Sequence, residues 1–312
     1  MVMSDILKIG ARGSPLSLAQ TGLVARALEE AHPGLKTEII SIKTTGDKMR
    51  NVSLARIGGK GVFVKEIEEA LLAGEIDLAV HSAKDLPSEL PAGLSVGAVP
   101  PRADFRDVLI TRRPGGLAAL PRGARLGTSG PRRQAQMLAA RPDLVAEPIR
   151  GNVVTRLKKL KTEVEAIILA AAGLDRLGLS PPNSEYLPPE IMLPSAGQGA
   201  LAVEIRAEDL KIQEFLSPLT HRPTFLALAA ERGFLRRLGS GCQLPAAALA
   251  RYEESSMSLE GLVASPDGRR IIRRGRTVEL DSTEAAANFG QLLATEILDN
   301  GGREIMAEVE GS

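Results

Sequence analysis

At 312 residues the chain exceeds the size at which one hydrophobic core keeps growing, so two or three domains with separate cores are expected. Its 44% hydrophobic and 25% charged residues, with 31 glycines and 20 prolines, describe a turn-rich globular protein and exclude a disordered or fibrous one. Lysine plus arginine (39) balances aspartate plus glutamate (38), and aromatics are only 3% with no tryptophan, which argues against nucleic-acid and membrane-surface partners.

In chain order, residues 6–10 are a short apolar strand. Ser14-Pro15 then open a helix with Leu16, Ala19, Leu23, Ala27 and Leu28 at helical spacing, Ser14 as N-cap and Pro15 at the first turn. His32-Pro33-Gly34 ends it. A strand over Thr37 to Ile42, a Gly- and Lys-rich segment over Lys43 to Gly61, and a helix carrying Phe63, Ile67, Ala70 and Leu71 follow. Further strands are predicted at Ile76 to Val80, Val108 to Thr111, Leu126 to Thr128, Ala166 to Ala170 and Ala202 to Ile205, with helices at Pro131 to Ala140 and after Gly151. This alternation predicts an α/β architecture with parallel or mixed sheets. Ser180 to Pro189 is read as a long loop because of its prolines. From His221 the pattern changes to a long helix, a Gly-Ser-Gly-Cys turn, strands at Leu259 to Val263 and Arg270 to Arg273, and a last helix at Thr283 to Leu298, a separate α+β domain.

No run approaches transmembrane length, and the first ten residues lack the features of a signal peptide, so a cytoplasmic protein is expected. One cysteine cannot form an internal disulfide, which suits a reducing compartment. The three histidines and the cysteine show no metal-ligand spacing, and no metal site is assigned. Nucleotide-binding glycine signatures are also absent.

Three constellations carry potential chemistry. Arg12, Lys84, Arg132, Arg133, Arg150 and Arg156 fall at predicted element ends, where open α/β sheets bind ligands. They suit carboxylates held by guanidinium forks beside helix N-termini, or they are solvated surface residues. Asp85, in His81-Ser82-Ala83-Lys84-Asp85, ends an apolar strand; it could stabilise a developing cation, or simply form the turn, and His81 reads as structural. Cys242 sits in Gly239-Ser240-Gly241-Cys242 after Arg236 and Arg237, a setting that favours an exposed thiolate as well as a packed thiol.

Taken together, several stretches resemble the porphobilinogen deaminase (hydroxymethylbilane synthase) family along almost the whole chain. They are Ala11-Arg12-Gly13-Ser14-Pro15-Leu16, Gly58 to Glu66, Ala79 to Asp85, Gly127-Thr128-Ser129 with Arg132-Arg133-Gln134, Leu193 to Ala200, and Gly241-Cys242-Gln243. The resemblance implies a transferase that condenses four porphobilinogen units, with loss of ammonia, on a dipyrromethane cofactor bound covalently through Cys242, and then releases hydroxymethylbilane by hydrolysis. It implies Asp85 as the catalytic carboxylate. Lys84, Asp85, Ser129, Arg132 and Arg133 would hold the cofactor, and Arg12, Ser14, Arg150 and Arg156 the substrate. Arg176 would line the elongation path, Lys60 would belong to a lid over Lys43 to Gly61, and Phe63 would pack over the pyrroles, although it also fits a helix-face core role. Two departures stand out: Ser129-Gly130-Pro131 replaces a more usual Ser-Ser and apolar residue before the arginine pair, and Gly13 replaces a polar residue.

The implied fold is two periplasmic-binding-protein-like α/β domains with a cleft between them and a smaller C-terminal α+β domain. The expected boundaries are 1–99 with 200–218, 100–199, and 219–312, in a monomer with no nucleic-acid or membrane partner. An anion-binding receptor without catalysis would suit the same arginines but needs no Cys242. A cysteine hydrolase would need a histidine base near the thiol.

Overall fold

The computed structural model describes residues 6–45, 64–239 and 244–310. The chain opens with β1 (Leu7–Arg12), α1 (Pro15–Ala31), β2 (Thr37–Ile42), α2 (Lys65–Leu72), β3 (Leu78–Ser82) and β4 (Leu94–Ala98). It continues through β5 (Asp107–Thr111), β6 (Arg125–Gly127), α3 (Pro131–Ala140), β7 (Val145–Glu147), α4 (Val153–Leu160), β8 (Ala166–Ala170), α5 (Ala171–Arg176) and β9 (Ser184–Leu187). Then come β10 (Leu201–Arg206), α6 (Leu210–Leu216), α7 (Arg222–Leu238), β11 (Ala246–Glu253), β12 (Ser256–Ala264), β13 (Ile271–Glu279), α8 (Thr283–Ile297) and α9 (Arg303–Glu310). Two compact units result: Met1–Arg102 with Ala200–Phe225, and Ala103–Gly199 with Leu226–Ser312.

The first unit is built on a five-stranded sheet in the order β2-β1-β3-β10-β4. β1 is parallel to β2 and β3, whereas β10 runs antiparallel to both β3 and β4. Period-2 alternation assigns the faces. Leu7, Ile9, Leu78, Val80, Val203 and Ile205 pack with Val24 and Leu28 of α1. On the opposite face, Ala79 packs with Ile67 and Leu71 of α2. Gly10 faces α2 because the space is already taken: a Cβ there would lie 2.3 Å from the Ile76 side chain.

The second unit repeats this plan in the sheet β7-β6-β8-β5-β9. β6 is parallel to β7 and β8, and β5 is antiparallel to β8 and β9. Met137 of α3 joins the core on one face, with Leu109, Leu126 and Ile168. On the other, Val108, Ile110, Ile167 and Leu169 pack with Leu157 of α4. The same unit holds an antiparallel meander, β11-β12-β13, backed by Phe234 of α7 and by Phe289, Leu293 and Ile297 of α8. Ala247, Leu249, Leu262 and Ala264 of the meander pack against Ala135 of α3. The expected α/β sheets and α+β element are therefore present.

The structure amends several sequence readings. The stretch 180–189 is not wholly loop: Ser184–Leu187 forms β9 at the edge of the second sheet, pairing with β5. Its prolines flank the strand and so remove no ladder hydrogen bond. Asn183, at φ 57°, turns the chain into it. The strand expected at Ile76 to Val80 is Leu78–Ser82, with Ile76 buried ahead of it. β4, β7 and β11 escaped prediction, two being short or polar and the third alanine-rich. α9 also escaped: the C-terminal helix stops at Ile297, and Gly301, at φ 101°, redirects the chain into a second helix.

One buried carboxylate ties the meander to the turn before β10. Glu231 of α7 is fully buried and accepts hydrogen bonds from the Gly197 N–H (2.5 Å) and the Ala250 N–H (2.8 Å). Glu231→Ala strands both donors in the core, so it should cost about 3 kcal/mol in stability. A fall of several degrees in the thermal unfolding midpoint checks this.

Candidate active site

Both five-stranded sheets reverse their strand order at the first parallel strand. In the first sheet, the crossovers through α1 and α2 leave on opposite faces, so the carboxyl ends of β1 and β3 border an opening that neither helix covers. The side chains there come from the β1–α1 turn and from the end of β3. Arg12, Ser14, Ser17, Gln20, His81, Ser82 and Asp85 line a small open cleft, its wall completed by Leu16, Val64 and Val80.

Local chemistry fixes this edge. Ser14 has extended backbone geometry (φ −77°, ψ 146°) and its hydroxyl accepts from the Ser17 N–H at 3.2 Å, starting α1, while Pro15 occupies the first turn. The Ser17 hydroxyl accepts from the Arg12 N–H at 3.1 Å, so strand end and helix start brace each other. Across the opening, the Gln20 amide nitrogen donates to the Ser82 Oγ at 2.8 Å, and Ser82 can return its proton to the Gln20 Oε1 at 3.2 Å. This link holds the single helical turn Ala83–Asp85, on which Lys84 is half-buried and Asp85 is exposed.

Behind the cleft wall lies a buried cluster. His81 of β3, Glu204 of β10 and Glu68 of α2 are 5%, 0% and 6% exposed. His81 Nε2 lies 3.1 Å from Glu204 Oε2, but the ring is not angled for a hydrogen bond, and both Glu204 oxygens lack hydrogen-bond partners among the described residues. Burial, and next the Glu204 charge, push the Glu68 carboxyl up to about 7.

The corresponding edge of the second sheet carries the other predicted residues. Ser129, after β6, donates to the Ile149 carbonyl at 2.5 Å. Arg132 and Arg133, in the first turn of α3, are not solvated: both turn onto Asp107, a fully buried carboxylate at the start of β5, at 2.8 and 2.7 Å. Arg132 also donates to the Leu193 carbonyl (2.7 Å) and Arg133 to the Ile168 carbonyl (3.2 Å). Burial pulls Arg132 below the ordinary arginine value, with Asp107 opposing and Arg133 adding to the shift. Arg150 is half-buried in the turn after β7. Gly151 takes φ 112°, and Asn152 caps α4 by accepting from the Thr155 N–H at 2.9 Å. Arg156, in the first turn of α4, donates to the Gly151 carbonyl at 2.9 Å and has no carboxylate partner among the described residues. Burial and the nearby Arg133 cation push it down to about 10, so it stays charged at neutral pH. Arg176, at the end of α5, donates to the Gly199 carbonyl at 2.7 Å; burial lowers its value against the pull of Asp175.

Thus the structure gathers Arg12, Ser14 and Asp85 around one cleft, with Lys84 beside them, and places Ser129, Arg132, Arg133, Arg150, Arg156 and Arg176 on the second sheet's carboxyl side. Cys242, Lys60 and Phe63 lie outside the described residues. Sequence reasoning missed Gln20, Asp107 and the Glu68–Glu204 pair. Asp107 left a legible trace, a lone acid opening the apolar run Val108 to Ile110. The other three sit among residues of ordinary helical or strand pattern. Among the described residues, no cluster suits a metal ion and no helix is long and apolar enough to cross a membrane.

Comparison with known proteins matches residues 7–214 to the family described as "Porphobilinogen deaminase, dipyromethane cofactor binding domain" and residues 225–299 to "Porphobilinogen deaminase, C-terminal domain". Among curated relatives, the porphobilinogen deaminase of Syntrophobacter fumaroxidans is 47% identical over 98% of this chain and 99% of its own length. That of Roseiflexus sp. is 48% identical, covering 98% and 100%, and that of Syntrophomonas wolfei is 49% identical, covering 97% and 98%. With both its domains matched and relatives of nearly half identity aligned end to end, the chain belongs to the porphobilinogen deaminase family.

Proposed function

We propose that the chain condenses four porphobilinogen units, with loss of ammonia, on a dipyrromethane primer attached through Cys242, and then releases hydroxymethylbilane by hydrolysis. The observation that carries this reading is the convergence of a carboxylate, Asp85, with a guanidinium, Arg12, and a hydroxyl, Ser14, on one cleft at the carboxyl edge of the first sheet.

The donors present fit dipyrromethane, whose rings carry acetate and propionate groups. Lys84, Ser129, Arg132 and Arg133 would hold those carboxylates, and when bound the group supplies a free pyrrole α-carbon as the nucleophile. Asp107 suits Arg132 and Arg133 to this work: it orients both guanidinium groups from below, so their forks are set before an anion arrives. Arg12, Ser14, Arg150 and Arg156 receive the incoming ring. The Ser14 oxygen already accepts from the Ser17 N–H, so its own hydrogen remains available to donate to a carboxylate. Arg156 is a half-buried cation whose hydrogen-bond partner among the described residues is a carbonyl, and a substrate carboxylate would satisfy it. Asp85 carries the main catalytic role. Its carboxylate, exposed to the cleft, stabilises the positive charge that develops on the pyrrole as ammonia departs. Arg176 lines the elongation path, Lys60 belongs to the lid, and Phe63 packs over the pyrroles. The reading includes a monomer in a reducing cytoplasmic compartment, which suits a lone cysteine.

Intact mass spectrometry after incubation with porphobilinogen tests the anchor: the chain should gain two linked pyrrole units, and Cys242→Ala should gain none and turn over no substrate. Asp85→Asn should stay folded yet lose about 100-fold or more in kcat, read as ammonia release. Arg156→Gln removes a charge-assisted contact to substrate, so its KM should rise about tenfold or more, measured in the same assay.

A further inference from the structure

Glu68, Glu204 and His81 bring three titratable groups into the interior of the first unit, and the activity proposed above uses none of them. Glu68 Oε1, His81 Nε2 and both Glu204 oxygens are buried without hydrogen-bond partners among the described residues. Each such atom costs about 1–3 kcal/mol, so a purely structural patch would be better filled by apolar side chains. The cluster is also not remote. Its histidine is itself part of the cleft wall, four residues before Asp85 on the same strand and turn. Strand alternation puts His81 on the α2 face of β3 and Glu204 on the α2 face of β10, and Glu68 meets them from α2.

We infer that Glu68 and Glu204 act through His81 as a proton-responsive counter-charge to the cation that develops in the cleft when ammonia leaves. They are positioning residues in this role; neither touches the reacting atoms, and no bond of theirs is made or broken beyond the exchange of one proton with solvent. With Glu68 protonated, the cluster holds one carboxylate against the imidazole. Ionisation of Glu68 adds a second negative charge behind the wall. In a low-dielectric surround that charge favours a cation in the cleft, and by linkage a cation in the cleft favours ionisation. The elements around the cluster carry few other charges. α2 has Lys65, Glu66 and Glu69, β1 has Lys8 and Arg12, β10 has Arg206, and β4 has none. Arg206 is engaged with the Leu71 and Ile76 carbonyls and with Asp209. Glu69 adds to the upward push on Glu68, and His81 opposes it.

The proposal rests on the deaminase reading, and one experiment separates the two: ammonia release from porphobilinogen by the cofactor-loaded protein from pH 5.5 to 9, with thermal midpoints across the same range, for wild type, Glu68→Gln and Glu204→Gln. In wild type, kcat should rise with pH through about 7. In Glu68→Gln that rise should vanish, leaving kcat at pH 8 about tenfold lower. Glu204→Gln removes the charge that, after burial, contributes most to raising Glu68, so the inflection should move below pH 7.

Stability should move the opposite way. The Glu68 carboxyl titrates higher folded than unfolded, so wild-type stability falls as pH rises from about 4.5 through about 7, and Glu68→Gln escapes that loss. The midpoint of the variant should therefore exceed that of wild type by an amount that grows with pH. A more stable but slower protein is not what a merely structural residue yields. A wild-type inflection that persists in Glu68→Gln overturns the inference alone; absence of ammonia release from wild type overturns the deaminase reading and the inference with it.

Discussion

Parallel strands whose order reverses at the first strand must send successive crossovers to opposite faces, and the place of the candidate site follows from that constraint. Because α1 leaves β1 on one face of the sheet and α2 returns to β3 on the other, the strand ends between them stay uncovered. Polar side chains at those ends then need no burial to be held in place. Ser14 and Ser17 brace the β1 end, Gln20 and Ser82 brace the β3 end, and Arg12 and Asp85 project from a rigid frame. The second sheet has the same order and directions, and its carboxyl edge carries the arginines.

Buried carboxylates take over where the backbone alone cannot set direction. Asp107 has no exposed surface and sits between two guanidinium groups, so it neutralises a concentration of positive charge that the interior would otherwise not tolerate. It also removes the rotamer freedom that makes long cationic side chains poor at holding a fixed ligand. Glu231 performs a related task for the backbone, stitching the turn at Gly197 to β11. Glu68 and Glu204 differ in kind. Among the described residues no cation faces them at ion-pair distance apart from the His81 ring, and burial pushes the Glu68 carboxyl upward.

The near-neutral net charge of the chain and its local cationic clustering are consistent within this arrangement. Many arginines are spent on internal ion pairs: Arg125 with Glu165, Arg141 with Asp143, and Arg273 with Glu260. Arg156 and Arg176 have only carbonyl partners among the described residues, and both are pulled down by burial. A carboxylate-bearing ligand would supply what these two lack.

The sequence by itself determined the alternation of elements, the α1 and α3 boundaries, the candidate residues at strand ends, and the family motifs around Arg12, Asp85 and Cys242. It could do so because caps, prolines and apolar periodicity act within a few residues. Only the tertiary structure decided that Arg132 and Arg133 share Asp107, that Ser184–Leu187 is a strand, and that Glu68, His81 and Glu204 meet. Those facts join residues up to 136 positions apart, from Glu68 to Glu204, through the pairing of β10 with β3, and no local pattern encodes such a distance. An acid in an apolar strand reads the same whether it ends at solvent, at an arginine or at another acid; the fold alone supplies the neighbour that sets its energy.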